Sequence, residues 1–148
     1  MKLKSQDKIY DPIRNLSLEY SPEEAVRQHW ISRLQALGYP SHLITVEKAL
    51  VSFAAAADCP NRRIDILRYG QLAGKIYPLL LIECKAVTTK QLPLQQLLGY
   101  NKVVQAPFFA LALGWEQFRL YWQEESGLTH IDFLPTYKDL QQVCTTLN

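Results

Sequence analysis

Pro78-Leu79-Leu80-Leu81-Ile82-Glu83-Cys84-Lys85 runs apolar for most of its length and then turns abruptly charged. A short continuous apolar run is the mark of a strand buried on both faces, and so of a central strand in its sheet. Side chains alternate along a strand, which places Leu79, Leu81, Glu83 and Lys85 on one face. Glu83 and Lys85 therefore lie side by side at the strand end. Burying a carboxylate and an ammonium there costs on the order of several kcal/mol in desolvation unless each has a partner. Asp65, inside the run Ile64-Asp65-Ile66-Leu67, poses the same problem one strand earlier.

If those two strands pair as a hairpin, Asp65 and Glu83 converge on one cation. Two carboxylates and a backbone carbonyl, here that of Cys84, make a hard oxygen site suited to Mg²⁺, with Mn²⁺ as a substitute. Such a site polarises a phosphate and activates water, and Lys85 can position that water or stabilise developing charge. The reaction class is phosphodiester hydrolysis. A structural Glu–Lys or Asp–Arg ion pair at a sheet end explains the same residues equally well on geometry alone.

The surrounding chain supplies a frame. Ser21-Pro22-Glu23-Glu24 is a helix start, with Ser as N-cap and Pro at the first helical position. Val26, Trp30, Leu34 and Leu37 follow at helical spacing, and Gly38 closes the helix. Residues 1–20 show no clear period and read as an irregular arm. Ile44 to Phe53 and Arg63 to Tyr69 read as strands, with Gly70 to Gly74 as the hairpin connection into the central strand. Pro93 opens a second helix to about residue 105. Phe108 to Leu113 and Gln117 to Trp122 read as strands, Thr129–Phe133 as a further short one, and Pro135 to Leu147 as a closing helix. This order predicts an α/β fold with a mixed central β-sheet flanked by helices, in one domain over 1–148: arm 1–20, core 21–134, C-terminal helix 135–148.

Bulk properties agree. The chain has 148 residues, 48% of them hydrophobic and 20% charged, with net charge +2, values of a globular domain large enough for its own core. No run approaches the roughly 18 apolar residues that a membrane span needs, the charged first residues predict no secretory signal, and three scattered cysteines argue for a reducing, cytoplasmic setting. Between Cys59 and Trp115 lie seven basic residues (Arg62, Arg63, Arg68, Lys75, Lys85, Lys90 and Lys102) and only two acids, Asp65 and Glu83. A basic stretch whose only carboxylates are the two candidate ligands suits phosphate chemistry.

At these residues the sequence resembles the PD-(D/E)XK nuclease superfamily, and more closely the N-terminal endonuclease domain of type I restriction enzyme R subunits. Arg62-Arg63-Ile64-Asp65-Ile66 looks like the first ligand element, although Ile64 stands where proline is usual. Glu83-Cys84-Lys85 looks like the E-x-K element, and Gln96-Leu97-Leu98-Gly99-Tyr100 like the Q-x-x-x-Y motif of the following helix. Pro22-Glu23-Glu24-Ala25-Val26-Arg27-Gln28 resembles the opening helix of this group, which often adds an acid near the metal.

The resemblance implies a restriction-endonuclease-like core and Mg²⁺-dependent cleavage, most of all of DNA. It gives Asp65 and Glu83 as ligands with the Cys84 carbonyl, Lys85 at the reaction centre, and Gln96 and Tyr100 supporting Lys85 or the phosphate backbone. On the apolar stripe of the first helix Glu23 falls in line and Glu24 falls off it. Glu23 is therefore expected to face the site and Glu24 to close a capping box. Arg62, Arg63, Lys90 and Lys102 are candidate phosphate contacts.

Other motifs fall away. Gly70-Gln71-Leu72-Ala73-Gly74-Lys75 is one residue short of a phosphate-binding loop and has Ile76 where Ser or Thr is required. Without a nucleotide loop, the expectation is a stand-alone nuclease module rather than a motor-bearing subunit. A motor or specificity subunit is then a candidate partner, and a double-strand cut by one small site would favour a homodimer. The aromatics Phe108, Phe109, Trp115, Phe118, Tyr121 and Trp122 could stack bases, but core packing is the plainer reading. The alternative function is a catalytically silent module on the same fold that binds nucleic acid or protein.

Overall fold

The computed structural model describes residues 7–53, 62–86 and 94–146, with side chains through residue 143. Six strands form one mixed sheet: β3 (Ile44–Ala49), β4 (Arg63–Leu72), β5 (Lys75–Lys85), β6 (Phe108–Leu113), β7 (Gln117–Glu124) and β8 (Gly127–Ile131), in that spatial order. Every neighbouring pair is antiparallel except β5 and β6. A parallel pair needs a crossover, and the segment that carries α2 (Leu94–Val104) provides it. The expected central position of the Leu79–Ile82 run holds, since β5 has β4 on one side and β6 on the other.

Two layers cover the sheet. Val26, Trp30, Ile31 and Leu34 of α1 (Pro22–Ala36) pack with Leu80, Ile82, Cys84, Phe108, Ala110 and Ala112, and Leu140 of α3 (Tyr137–Thr146) joins them. Leu97, Tyr100 and Val104 of α2 pack on the opposite face with Leu81, Phe109 and Leu111. The alternation of β5 thus separates Leu80, Ile82 and Cys84 from Leu81. It puts Glu83 and Lys85 on the α2 side with Leu81. Leu79 departs from the expected face and joins the α1 cluster, because the β4–β5 register slips by one residue between Arg68 and Tyr69.

The start of α1 follows its sequence. Ser21 is extended and its hydroxyl accepts the Glu24 amide at 3.0 Å, while Gly38 at φ +88° turns the chain after the last turn. Several segments differ from expectation: the first sheet strand ends at Ala49 and passes into a 3-10 turn over Leu50–Ser52, and the last runs Gly127–Ile131 rather than Thr129–Phe133. Lys8–Asp11 and Leu16–Glu19 form an antiparallel hairpin, β1–β2, rather than an irregular arm; four-residue strands are too short to give a period. The β4–β5 connection is also tighter than Gly70 to Gly74. Leu72 pairs with Lys75, and only Ala73 (φ +52°) and Gly74 (φ +78°) make the turn.

Gly70 itself lies within β4, where the Tyr77 ring crosses its bare backbone. A Cβ there would stand 2.5 Å from Tyr77 Cζ. Gly70→Ala is therefore expected to displace that ring and cost about 1–3 kcal/mol. Thermal unfolding checks this, and an unchanged melting temperature would refute it.

Candidate active site

Asp65 interrupts the sheet on both of its sides. The β3–β4 ladder pairs Val46 with Ile66 and Lys48 with Ile64 but skips the Glu47–Asp65 position, and Glu47 has a left-handed φ of +55°. The regular β4–β5 ladder likewise ends at Ile66↔Ile82. Carboxylates replace the missing ladder bonds. The Asp65 amide donates to Glu83 Oε1 at 3.3 Å, and the Cys84 amide donates to Asp65 Oδ2 at 2.8 Å. A short acidic side chain competes well for nearby amides, which is why an aspartate in mid-strand opens the sheet here. The two acids singled out in the sequence therefore meet across the splayed ends of β4 and β5.

Glu83 is 5% exposed. Burial pushes its carboxyl up to about 8, and the neighbouring Asp65 charge adds to the rise while Lys85 opposes it. The Cys84 thiol is buried and held well above its ordinary range by desolvation, so its side chain is inert packing, as expected. Lys85 is half-buried on the α2 side beyond Glu83.

The assignment of the helix acids is reversed. Glu23 is exposed, and Glu24 is the buried one, held by Arg27, which also reaches Asp65. The apolar stripe drawn from Val26, Trp30, Leu34 and Leu37 left out Arg27 and Ile31, both buried. With them the buried arc rotates to include Glu24. Nor does the Glu24 side chain complete a capping box: it accepts from Arg27 Nη1 at 2.7 Å, Gln28 Nε2 at 3.1 Å and Arg14 Nη2 at 3.3 Å.

Two arginines that the sequence reading assigned no role tie this cluster together. Arg27, 7% exposed, donates from Nη2 to Asp65 Oδ1 at 2.7 Å and lies 3.5 Å from Glu47 Oε1. Burial works against its charge, but Asp65 and Glu24 outweigh this and hold it above its ordinary value. Arg14 bridges Asp11 (2.5 Å), Glu47 (2.8 Å) and Glu24. Asp11 is fully buried. Burial alone would raise its carboxyl, yet Arg14 and the amides of Ile13 and Arg14 bring it below its usual value. The signal available for Arg27 was a long charged residue one turn after Glu24 on a helix face otherwise apolar.

The site's charge is thus the reverse of what the linear count suggested. Asp11, Glu24 and Glu47 come in from outside the basic stretch and with Asp65 pair with Arg14 and Arg27, while Glu83 adjoins Asp65. Of the basic residues, Arg68 is fully buried between the rings of Tyr39 and Tyr137 (4.9 and 5.0 Å) and is lowered to about 10 by desolvation. It cannot meet a phosphate. Arg62, Arg63 and Lys102 are exposed, with Arg63 donating to the Glu47 carbonyl at 3.1 Å; Lys90 lies outside the described residues.

Gln96 and Tyr100 sit on α2, the layer that Glu83 and Lys85 face. Gln96 Nε2 donates to Tyr100 Oη at 2.6 Å. Tyr100 packs into the apolar cluster with Leu97. Among the described residues the pair bonds to itself and not to Lys85. No group of three His, Cys, Asp or Glu side chains able to hold a metal occurs among the described residues.

No described helix is long and apolar enough to cross a membrane. No curated protein and no solved structure matched the chain. Residues 22–135 match the family described as Type I restriction enzyme R protein N terminus (HSDR_N). That span opens at the first residue of α1, includes Asp65, Glu83, Lys85, Gln96 and Tyr100, and covers well over half of the sequence: the chain belongs to the type I restriction enzyme R protein N-terminus family.

Proposed function

We propose that this chain is a Mg²⁺-dependent nuclease of the PD-(D/E)XK type that hydrolyses phosphodiester bonds in DNA. One observation carries the reading: Asp65 and Glu83 replace the backbone ladder between β4 and β5, side by side, with Lys85 two residues further on the Glu83 face. Family membership supports the nuclease class.

The donor set fits a hard divalent cation. Glu83 is buried, and the Asp65 charge drives its carboxyl up, a conflict that a cation between the two would relieve. Two carboxylates suffice for Mg²⁺, which keeps several waters. Asp65 and Glu83, with the Cys84 carbonyl, would hold it. When bound there it supplies charge neutralisation at the phosphate and activation of water. Lys85 contributes an ammonium that stabilises charge developing on the phosphate or orients the attacking water. Glu24 holds Arg27, and Arg27 in turn fixes one Asp65 oxygen. Gln96 and Tyr100 stiffen the α2 wall beside Lys85.

The test is cleavage of supercoiled plasmid and of labelled single-stranded DNA in Mg²⁺, Mn²⁺ or EDTA. Divalent-dependent cleavage is expected, reduced roughly 10²–10³-fold by Lys85→Ala. A specific observation favours the second reading, a silent binding module: Arg27 already occupies one Asp65 oxygen. Folded protein that binds DNA but leaves both substrates intact in either metal would establish that reading instead.

A further inference from the structure

Of the six aromatics that could stack bases, the structure buries Phe108, Phe109, Phe118 and Tyr121 and half-buries Trp122. Trp115 alone among them stands out, 59% exposed. It sits in the β6–β7 turn. The amide of Gly114 donates to the Lys85 carbonyl at 2.8 Å, and the Gly114 carbonyl accepts Trp30 Nε1, also at 2.8 Å. The turn is thereby pinned to the end of β5 on one side and to α1, one turn beyond Arg27, on the other. Gly114 has φ +65°, a conformation a side chain would disfavour.

The indole is held as well as exposed. His29 stacks on it with ring centroids 4.8 Å apart and planes 16° from parallel, and bonds to the Trp115 backbone. Trp30, perpendicular to His29 at 5.2 Å, supports the imidazole from the core. A lone surface tryptophan needs no explanation. One stacked on a histidine, in a turn that two hydrogen bonds pin to the Lys85 carbonyl and to Trp30, is a held π-surface that stays exposed. Arg33, one helical turn after His29 on α1, exerts its charge on the imidazole. A planar ligand with a nearby anionic group suits this arrangement.

We infer that Trp115, backed by His29, is a stacking subsite for an unpaired nucleobase at the end of β5, on the α1 side of the sheet from which Arg27 reaches Asp65. The inference rests on the nucleic-acid reading and deepens it. A base in a duplex offers no free face, so the strand engaged here is single-stranded, frayed or flipped.

Tryptophan fluorescence in EDTA, without turnover, tests this with a 12-nucleotide single strand and a blunt duplex of the same sequence. Wild type is expected to bind the single strand more tightly and to lose emission on binding. Trp115→Ala should weaken single-strand binding about tenfold, one stacked base, and leave the salt dependence unchanged, since no phosphate contact is lost. Trp115→Phe should keep the affinity within about threefold and abolish the quench, assigning it to Trp115 rather than Trp30 or Trp122. Equal binding by wild type and Trp115→Ala would overturn the subsite, as would equal affinity for the duplex. Binding of neither probe by folded wild type would overturn the nucleic-acid reading beneath it, a separate and recognisable outcome.

Discussion

Glu83→Gln is expected to stabilise the metal-free protein above pH 8 by about 2–4 kcal/mol and, on the proposed function, to lower cleavage by roughly 10²–10³-fold. Burial and then the Asp65 charge raise the Glu83 carboxyl from 4.5 to about 8 in the folded state. Between those values the folded protein keeps a proton that the unfolded chain releases, so stability falls as pH rises through the window. The contribution is fully present below about pH 4.5 and lost above about pH 8. Glutamine mimics the protonated carboxyl, can still accept the Asp65 amide, and does not titrate. Urea unfolding in EDTA at pH 5 and pH 9 should show the variant gaining on the wild type only at the higher pH. Asp11, whose carboxyl is depressed, acts oppositely by losing stability as pH falls, but it is common to both proteins and cancels. An equal gap at both pH values would refute the assignment. On the proposed function Glu83 would both destabilise the resting fold and serve turnover, the kind of position where function and stability conflict.

Much of this arrangement was legible in the sequence because it depends on local pattern. The run Pro78–Ile82 carries the mark of a central strand, and Ser21-Pro22-Glu23-Glu24 that of a helix start. Asp65 and Glu83 stood out because each broke an apolar run. What was not legible depends on tertiary register. The burial of Glu24 over Glu23 is a rotation of α1 set by Ile31 and Arg27, residues that the apolar count omitted. Glu47 gave no signal within an ordinary strand, since its role comes from a positive φ and a skipped ladder position opposite Asp65. Asp11 and Arg14 reach the cluster through the β1–β2 hairpin, whose short strands carry almost no periodic signal. The acidity of the site was hidden for the same reason: linear charge density cannot see three carboxylates folded in from elsewhere.

Arg27→Met should cost about 3–5 kcal/mol, the loss typical of removing one member of a buried ion pair. Methionine keeps much of the length and packing of arginine, so the effect isolates charge. Its removal leaves Glu24 and Asp65 each without a 2.7 Å partner in a cluster that already holds more carboxylates than guanidiniums. Arg14 cannot compensate, because it is engaged by Asp11 and Glu47 and meets Glu24 only at 3.3 Å. Equilibrium urea unfolding in EDTA reads the loss directly. A second substitution, Glu24→Gln, should recover part of it in a double-mutant cycle, since the neutral amide no longer needs a counter-charge. A loss below about 1 kcal/mol would show that solvent satisfies these carboxylates and that the network is a surface pattern. The sign with divalent cation present is a further discriminator. If Asp65 and Glu83 form the cation site, added Mn²⁺ should restore more stability to Arg27→Met than to wild type, because the ion then supplies the charge that the guanidinium gave.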